Sequence, residues 1–288
     1  MVLAFVQSLV DGLLMGGVYA LAALGVSLIF GVMKITNFAH GALMTVGMYA
    51  TYEICTLAGA SPYLILPAVI VIMFAIGYAI QKFVLNPIIE APSHNQLLLT
   101  LGLSIVIENL LLLIFSANYK NIKFAGATRA FHLGSLVINE PKLMAFLIVS
   151  IAAVGIWLLL NRTDLGRAIR ATSVQRDGAT LMGIRVSKIN AVAFGIGVAC
   201  AGLAGALLTT IQTITPTSGE SYQLFCFVIA VFGGLGNIAG AIVAGLIIGV
   251  VEAMASLYLG GSWSQMVVYL IFVLILFLKP TGLFGKKG

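Results

Sequence analysis

The strongest constraint on this chain is a series of apolar runs, each about as long as a bilayer is thick. They fall at about 5–31, 39–60, 62–85, 95–117, 141–161, 189–211, 237–259 and 262–279. A helix rises about 1.5 Å per residue, so about 20 residues cross a hydrocarbon core of about 30 Å. A ninth segment, about 222–235, is shorter and covers about 21 Å. Unpaired backbone cannot face lipid, so this segment is expected as a short or broken helix packed inside protein. The expected fold class is all-α: a polytopic transmembrane helical bundle of about 8–9 spans including one short or broken helix, forming a single domain over residues 1–288.

Charge supports this reading. Only 8% of the residues are charged, against about 25% in soluble domains. The net charge of +6 has its positive groups between apolar runs, the pattern of a membrane protein's cytoplasmic loops, and implies no nucleic-acid partner. Cys55, Cys200 and Cys226 lie in apolar segments without CxxC or Cys/His spacing, so buried free thiols are expected. The N-terminus lacks a basic region, so no cleavable signal peptide is expected and the first span serves for targeting. The sequence contains no GxxxxGK[ST] phosphate loop, no HExxH and no GxSxG elbow. The expectation is therefore not an enzyme, with no cofactor and no metal.

The polar segment 162–188 holds Arg162, Arg167, Arg170, Arg176, Arg185 and Lys188 against Asp164 and Asp177, which assigns it to the cytoplasm. The tail carries Lys279, Lys286 and Lys287 and is also assigned inside. An even number of crossings must then separate the two, so the short ninth segment has to cross. Counting backward puts the loop 86–94 and the Lys34 turn inside. The N-terminus falls outside, as does the loop 119–140 despite Lys120, Lys123 and Arg129.

Several motifs stand out. Gly12/Gly16, Gly236/Gly240 and Gly245/Gly249 have the four-residue spacing that lets helix backbones approach closely. They suit packing inside this subunit, a subunit-dimer seam or a pore wall. Lys34-Ile-Thr-Asn37-Phe38-Ala39-His40-Gly41 interrupts two apolar helices. Asn37 is positioned to cap a helix starting at about Phe38, whose free N–H groups suit a substrate carboxylate or a plain turn. His40 sits one turn inside that helix. Glu108 and Glu252 lie within apolar runs and Glu53 nearer a span end. Intramembrane carboxylates are costly, which makes them pathway candidates or structural pairs. Lys82 and Lys142, near span ends, are expected to snorkel. A weak echo links Phe30-Gly31…Asn37-Phe-Ala-His-Gly-Ala with Phe232-Gly233…Asn237-Ile-Ala-Gly-Ala. Transporter folds carry repeats of this kind. The stretch 172–184 reads as a short amphipathic helix. Asp177 is in its first turn, Ala179, Leu181, Met182 and Ile184 form its apolar surface, and Gly183 stops it. Such a helix suits a partner's groove or the membrane surface.

Taken together, the motifs resemble the branched-chain amino acid permease subunits of ABC importers, a family that includes urea and amide permeases. The resemblance is carried by Gly16-Gly-Val-Tyr-Ala-Leu-Ala-Ala-Leu-Gly25, Ile35-Thr-Asn37-Phe-Ala-His40-Gly41 and Thr100-Leu-Gly102-Leu-Ser104. Further matches are Leu165-Gly-Arg167-Ala-Ile-Arg170-Ala, Leu181-Met-Gly183-Ile, Phe232-Gly-Gly234-Leu-Gly236-Asn-Ile-Ala-Gly240-Ala and the tail Lys279-Pro-Thr-Gly282-Leu-Phe-Gly285. They run from about residue 7 to 285. The sequence departs from the family's usual pattern at Asp177-Gly178-Ala179, at Asn237-Ile-Ala-Gly-Ala, and where Phe232-Gly233 begins, a position at which the family often has Gly.

The resemblance implies a related permease subunit as partner, in a heterodimer. It also implies two cytoplasmic ABC ATPases, and a periplasmic or lipid-anchored solute-binding protein. It implies a bacterial cytoplasmic membrane location and a cytoplasmic coupling loop at about 162–188, with Arg170, Asp177, Ala179, Leu181, Met182 and Gly183 as contact residues. Asn37, His40, Gly41, Thr100, Glu108, Gly234 and Glu252 are the expected substrate-pathway residues. Two other readings remain at this stage: a passive aquaporin-like or urea/amide channel, and a secondary transporter using Glu108 or Glu252 as an ion site. Only the importer needs the Arg-rich amphipathic loop.

Overall fold

In the computed structural model, which describes residues 2–124, 126–279 and 281–285, every apolar run is a helix. In chain order these are α1 Val2–Met33, α2 His40–Ala58, α3 Pro62–Ile80, α4 Ser93–Phe115, α5 Glu140–Arg162, α6 Asp164–Val174, α7 Arg176–Leu181, α8 Val186–Leu208, α9 Ser218–Gly233, α10 Ile238–Leu259 and α11 Gly261–Leu278. Six of them (α1, α3 with its extension to Ile88, α4, α5, α8 and α10) are long and apolar enough to cross a membrane by length and composition. At 16 residues, α9 spans about 24 Å. Lys286 and Lys287, invoked for the tail, lie outside the described residues.

α1 and α8 form the centre, with most of their residues buried. α1 lies antiparallel to α10 along a seam of four glycines. Gly12 abuts Gly249, and Gly16 abuts Gly245, backbone against backbone. The spacing therefore serves packing within this chain, where small residues replace the hydrophobic drive that lipid removes. α4 and α11 turn mostly apolar side chains outward, including Leu98, Leu113, Ile114, Val273 and Phe277. In a chain of this composition such surfaces face hydrocarbon.

The links sort onto two ends of the bundle. At one end Gln7 Nε2 donates to Val137 O at 2.7 Å, Lys142 Nζ reaches Asp11 Oδ1 at 2.8 Å, and Lys120 and Ile214 exchange backbone hydrogen bonds. At the other, Ser187 Oγ meets Asn86 Oδ1 at 2.8 Å, and Lys34, Asn161, Arg170, Asn237 and Phe284 line one cavity of about 660 Å³. The tail is fastened there, since Leu283 N donates to Phe232 O and Asn237 Nδ2 to Phe284 O. The chain passes from one end to the other between Ile214 and Gly236, which packs on Gly31.

Three local features differ from the sequence reading. Lys142 does not snorkel but pairs with Asp11, because both stand at the same end of packed helices. The loop after α4 carries a two-stranded antiparallel hairpin, β1 Ala130–Leu133 and β2 Leu136–Asn139, turning at Gly134. The segment 172–184 is not one helix: α6 and α7 break at Gln175, whose backbone is extended at φ −150°.

Candidate functional site: two helices that start inside the bundle

α1 ends at Met33, but α2 does not begin at that end of the bundle. Lys34 takes a left-handed turn at φ +60° and residues 35–39 run back alongside α1. His40, the first residue of α2, bonds Ala22 O at 3.0 Å. Ala22 is eleven residues, or about 16 Å, back from the end of α1. The carbonyl only accepts, so Nε2 of His40 carries the proton. His40 is fully buried.

Asn37 does not cap α2. The helix starts two residues later than expected, and Asn37 Oδ1 accepts from Ala39 N at 3.0 Å, a turn that precedes the helix. The open N–H of α2's first turn is instead taken by a side chain from another helix. Gly41 N donates to Gln223 Oε1 at 2.6 Å, and Gln223 Nε2 donates to Asn37 O at 3.3 Å. Helix starts leave such groups unsatisfied, and in an apolar interior they require a partner. Sequence reasoning missed Gln223; the available signal was one amide side chain in an otherwise apolar short segment.

α9 also starts inside, with Gly219 directly against Gly41. Phe38 stacks on Phe227 at 6.3 Å between ring centroids, which fixes the link 34–39 along α9. Thr100 is fully buried, donating to Leu97 O at 3.0 Å and lying 3.4 Å from Thr36 O. Asn37, His40, Gly41 and Thr100 therefore sit together in one packed junction.

The two carboxylates lie elsewhere around the start of α9. Glu108, half-buried on α4, accepts from Ser104 Oγ at 3.3 Å and sits beside Glu220 in the first turn of α9. Glu252, on α10, opens onto a cavity of about 490 Å³ that Tyr19, Gln212, Ser218, Tyr222 and Phe225 also line. Gln212 Nε2 donates to Tyr222 OH at 2.6 Å. Gly234 is remote from both, at the break between α9 and α10, with φ +93° and its backbone against Gly285.

The other group of expected residues lies on α6 and α7. Thr163 Oγ1 accepts from Gly166 N and caps α6, and Arg170 donates to Leu160 O, bracing α6 on α5. Asp177 is in the first turn of α7 and Ala179 is buried beneath it. Leu181 and Met182 are 88% and 84% exposed. Gly183, at φ +81°, reverses the chain, and Ile184 N returns to Ala179 O at 3.0 Å.

A helical bundle with apolar helices along its outside and polar groups gathered at interrupted helices inside defines a multi-pass membrane protein of the transporter class. Residues 8–276 match the family described as branched-chain amino acid transport system / permease component, and the chain belongs to that family. It is a transport permease component and not an enzyme. The chain is 30% identical over 299 residues to the high-affinity branched-chain amino acid transport system permease protein BraD of Pseudomonas aeruginosa, covering 98% of this chain and 96% of that one. It is 29% identical over 300 residues to the corresponding LivH protein of Escherichia coli, covering 99% and 96%. A ribose import permease, RbsC of Bacillus subtilis, is 32% identical over 162 residues, covering 54% of this chain and 48% of that protein. No solved structure matches the chain.

Proposed function

We propose that this chain is one permease subunit of an ATP-driven importer in a bacterial cytoplasmic membrane, forming half of the pathway for branched-chain or other small amino acids. The substrate class follows the printed function of the full-length relatives. The observation that carries the ATP-driven reading is α7, where Leu181 and Met182 project from a braced hook of chain on the arginine-rich end of the bundle. A leucine and a methionine so exposed fit a groove on a partner. Neither a passive channel nor an ion-coupled carrier needs such a feature.

In this reading the end bearing residues 162–188 and the C-terminus is cytoplasmic, following its excess of Lys and Arg. Two ATPase subunits dock there through Asp177, Leu181 and Met182, with Arg170, Ala179 and Gly183 holding the hook in shape. A related permease completes the pathway, and a periplasmic or lipid-anchored binding protein delivers the solute to the opposite end. The junction of Asn37, His40, Gly41 and Thr100 backs the pathway wall, Gly234 marks its cytoplasmic end, and Glu108 and Glu252 are its carboxylates. The test is co-expression with the genetically adjacent transport components, followed by purification on a tag carried by this chain and ATP-dependent leucine uptake into proteoliposomes. Co-purification of an ATPase with uptake is expected; isolation of this chain alone, with uptake that ignores ATP, would refute the reading.

A further inference from the structure

We infer that the cavity between Glu252 and the start of α9 recognises the ammonium group of the passing amino acid, so that the permease itself selects for a primary amine. This deepens the amino-acid permease reading and rests on it. Glu252 lies within the apolar run of α10, seven residues before its end at Leu259. A carboxylate at such a position is costly and calls for a compensating partner. Among the described residues, no lysine, arginine or histidine lies within 4 Å of it. Its polar neighbours are the phenols of Tyr19, Tyr222 and Tyr269, and the amide of Gln265 lines the same cavity. Glu252 thus opens onto the cavity with no cationic side chain of the described residues paired to it.

What surrounds it fits a cation with an apolar body. The ring of Tyr19 lies 6.2 Å from that of Tyr222 and 5.3 Å from that of Phe225, forming an aromatic wall beside the carboxylate. Ring faces attract ammonium groups. A single carboxylate with phenols does not supply the oxygen cage of a divalent ion. Thr215, Thr217, Ser218 and Ser221 line the same cavity; the Thr215 hydroxyl bonds those of Thr217 and Ser218 at 3.3 and 3.1 Å, and together they form a hydroxyl cluster with donors suited to a carboxylate. The cavity's volume of about 490 Å³ is within the range of small-molecule sites. A carboxylate, a hydroxyl cluster and aromatic carbon lining one cavity complement a zwitterion with an aliphatic side chain.

The test uses the complete importer in proteoliposomes, with Cys55, Cys200 and Cys226 replaced and Ser221→Cys introduced at the exposed rim. Modification by a cationic aminoethyl thiosulfonate is compared with that by an anionic sulfonatoethyl thiosulfonate. With Glu252 present the cationic reagent should react faster by at least about tenfold, as expected for one nearby charge at intermediate dielectric. Glu252→Gln should bring the ratio near parity. Leucine should protect the cysteine, whereas 4-methyl-2-hydroxypentanoate, the same molecule with hydroxyl for amine, should not. A charge ratio indifferent to Glu252→Gln, or equal protection by both compounds, overturns the inference. Failure of the unsubstituted importer to take up leucine with ATP overturns the permease reading instead.

Discussion

Gly41 and Gly219 meet backbone to backbone, the carbonyl oxygen of each filling the space where the other would carry a Cβ. This contact lets α2 and α9 both begin inside the bundle. A side chain at either position would push apart the two starts and the Gln223 bridge that joins them.

Gly41→Ala is therefore expected to lower stability by about 1–3 kcal/mol, the usual cost of overpacking a tight interior. Thermal unfolding of the detergent-purified chain, followed by its fluorescence, measures this. An unchanged midpoint would show that the helices separate without cost.

The sorting of links onto two ends makes a simple topological statement. Thr128→Cys and Gln175→Cys both introduce exposed thiols, on opposite ends. An impermeant maleimide added to intact cells should label position 128 and spare 175. Labelling of 175 but not 128 would invert the orientation.

Leu181→Ala combined with Met182→Ala should remove the bound ATPase from the purified complex while leaving stability within about 0.5 kcal/mol, since both side chains are exposed. Size-exclusion profiles with and without the substitutions read this directly. Retention of the ATPase would locate docking elsewhere.

Gly183→Pro tests the hook itself. Proline holds φ near −65°, whereas Gly183 stands at +81°, so the reversal after α7 cannot form. Membrane insertion is expected to persist and ATP-driven uptake to be lost. Normal uptake would remove Gly183 from the coupling role.

Much of this was legible in the sequence because hydrophobic length is a local signal. All nine apolar segments became helices, and the short one became the shortest of them, α9. The glycine pairs were legible as close packing, though not which helix each pair would meet. What escaped was what depends on partners distant in the chain. Asn37 resembles a cap, yet Gln223, far along the chain, provides the hydrogen bond that α2 needs. Lys142 resembles a snorkelling residue until Asp11 is brought beside it. The interior start of α2 rests on Lys34 adopting a left-handed turn that nothing in its side chain announces. Around Glu252, the carboxylate was visible in the sequence, but the aromatic wall was not, since Tyr19 and Phe225 come from separate helices.

The seam of Gly12, Gly16, Gly245 and Gly249 has a consequence for how this chain can vary. Glycine is the smallest residue, so every replacement at these four positions adds atoms. Mutation there runs in one direction, toward a wider gap between α1 and α10. A lineage can adjust this contact only indirectly, through bulk on neighbouring turns, or abandon it altogether. The four positions act as a ratchet: drift has many routes away from the closed seam, and each way back requires the specific loss of a side chain.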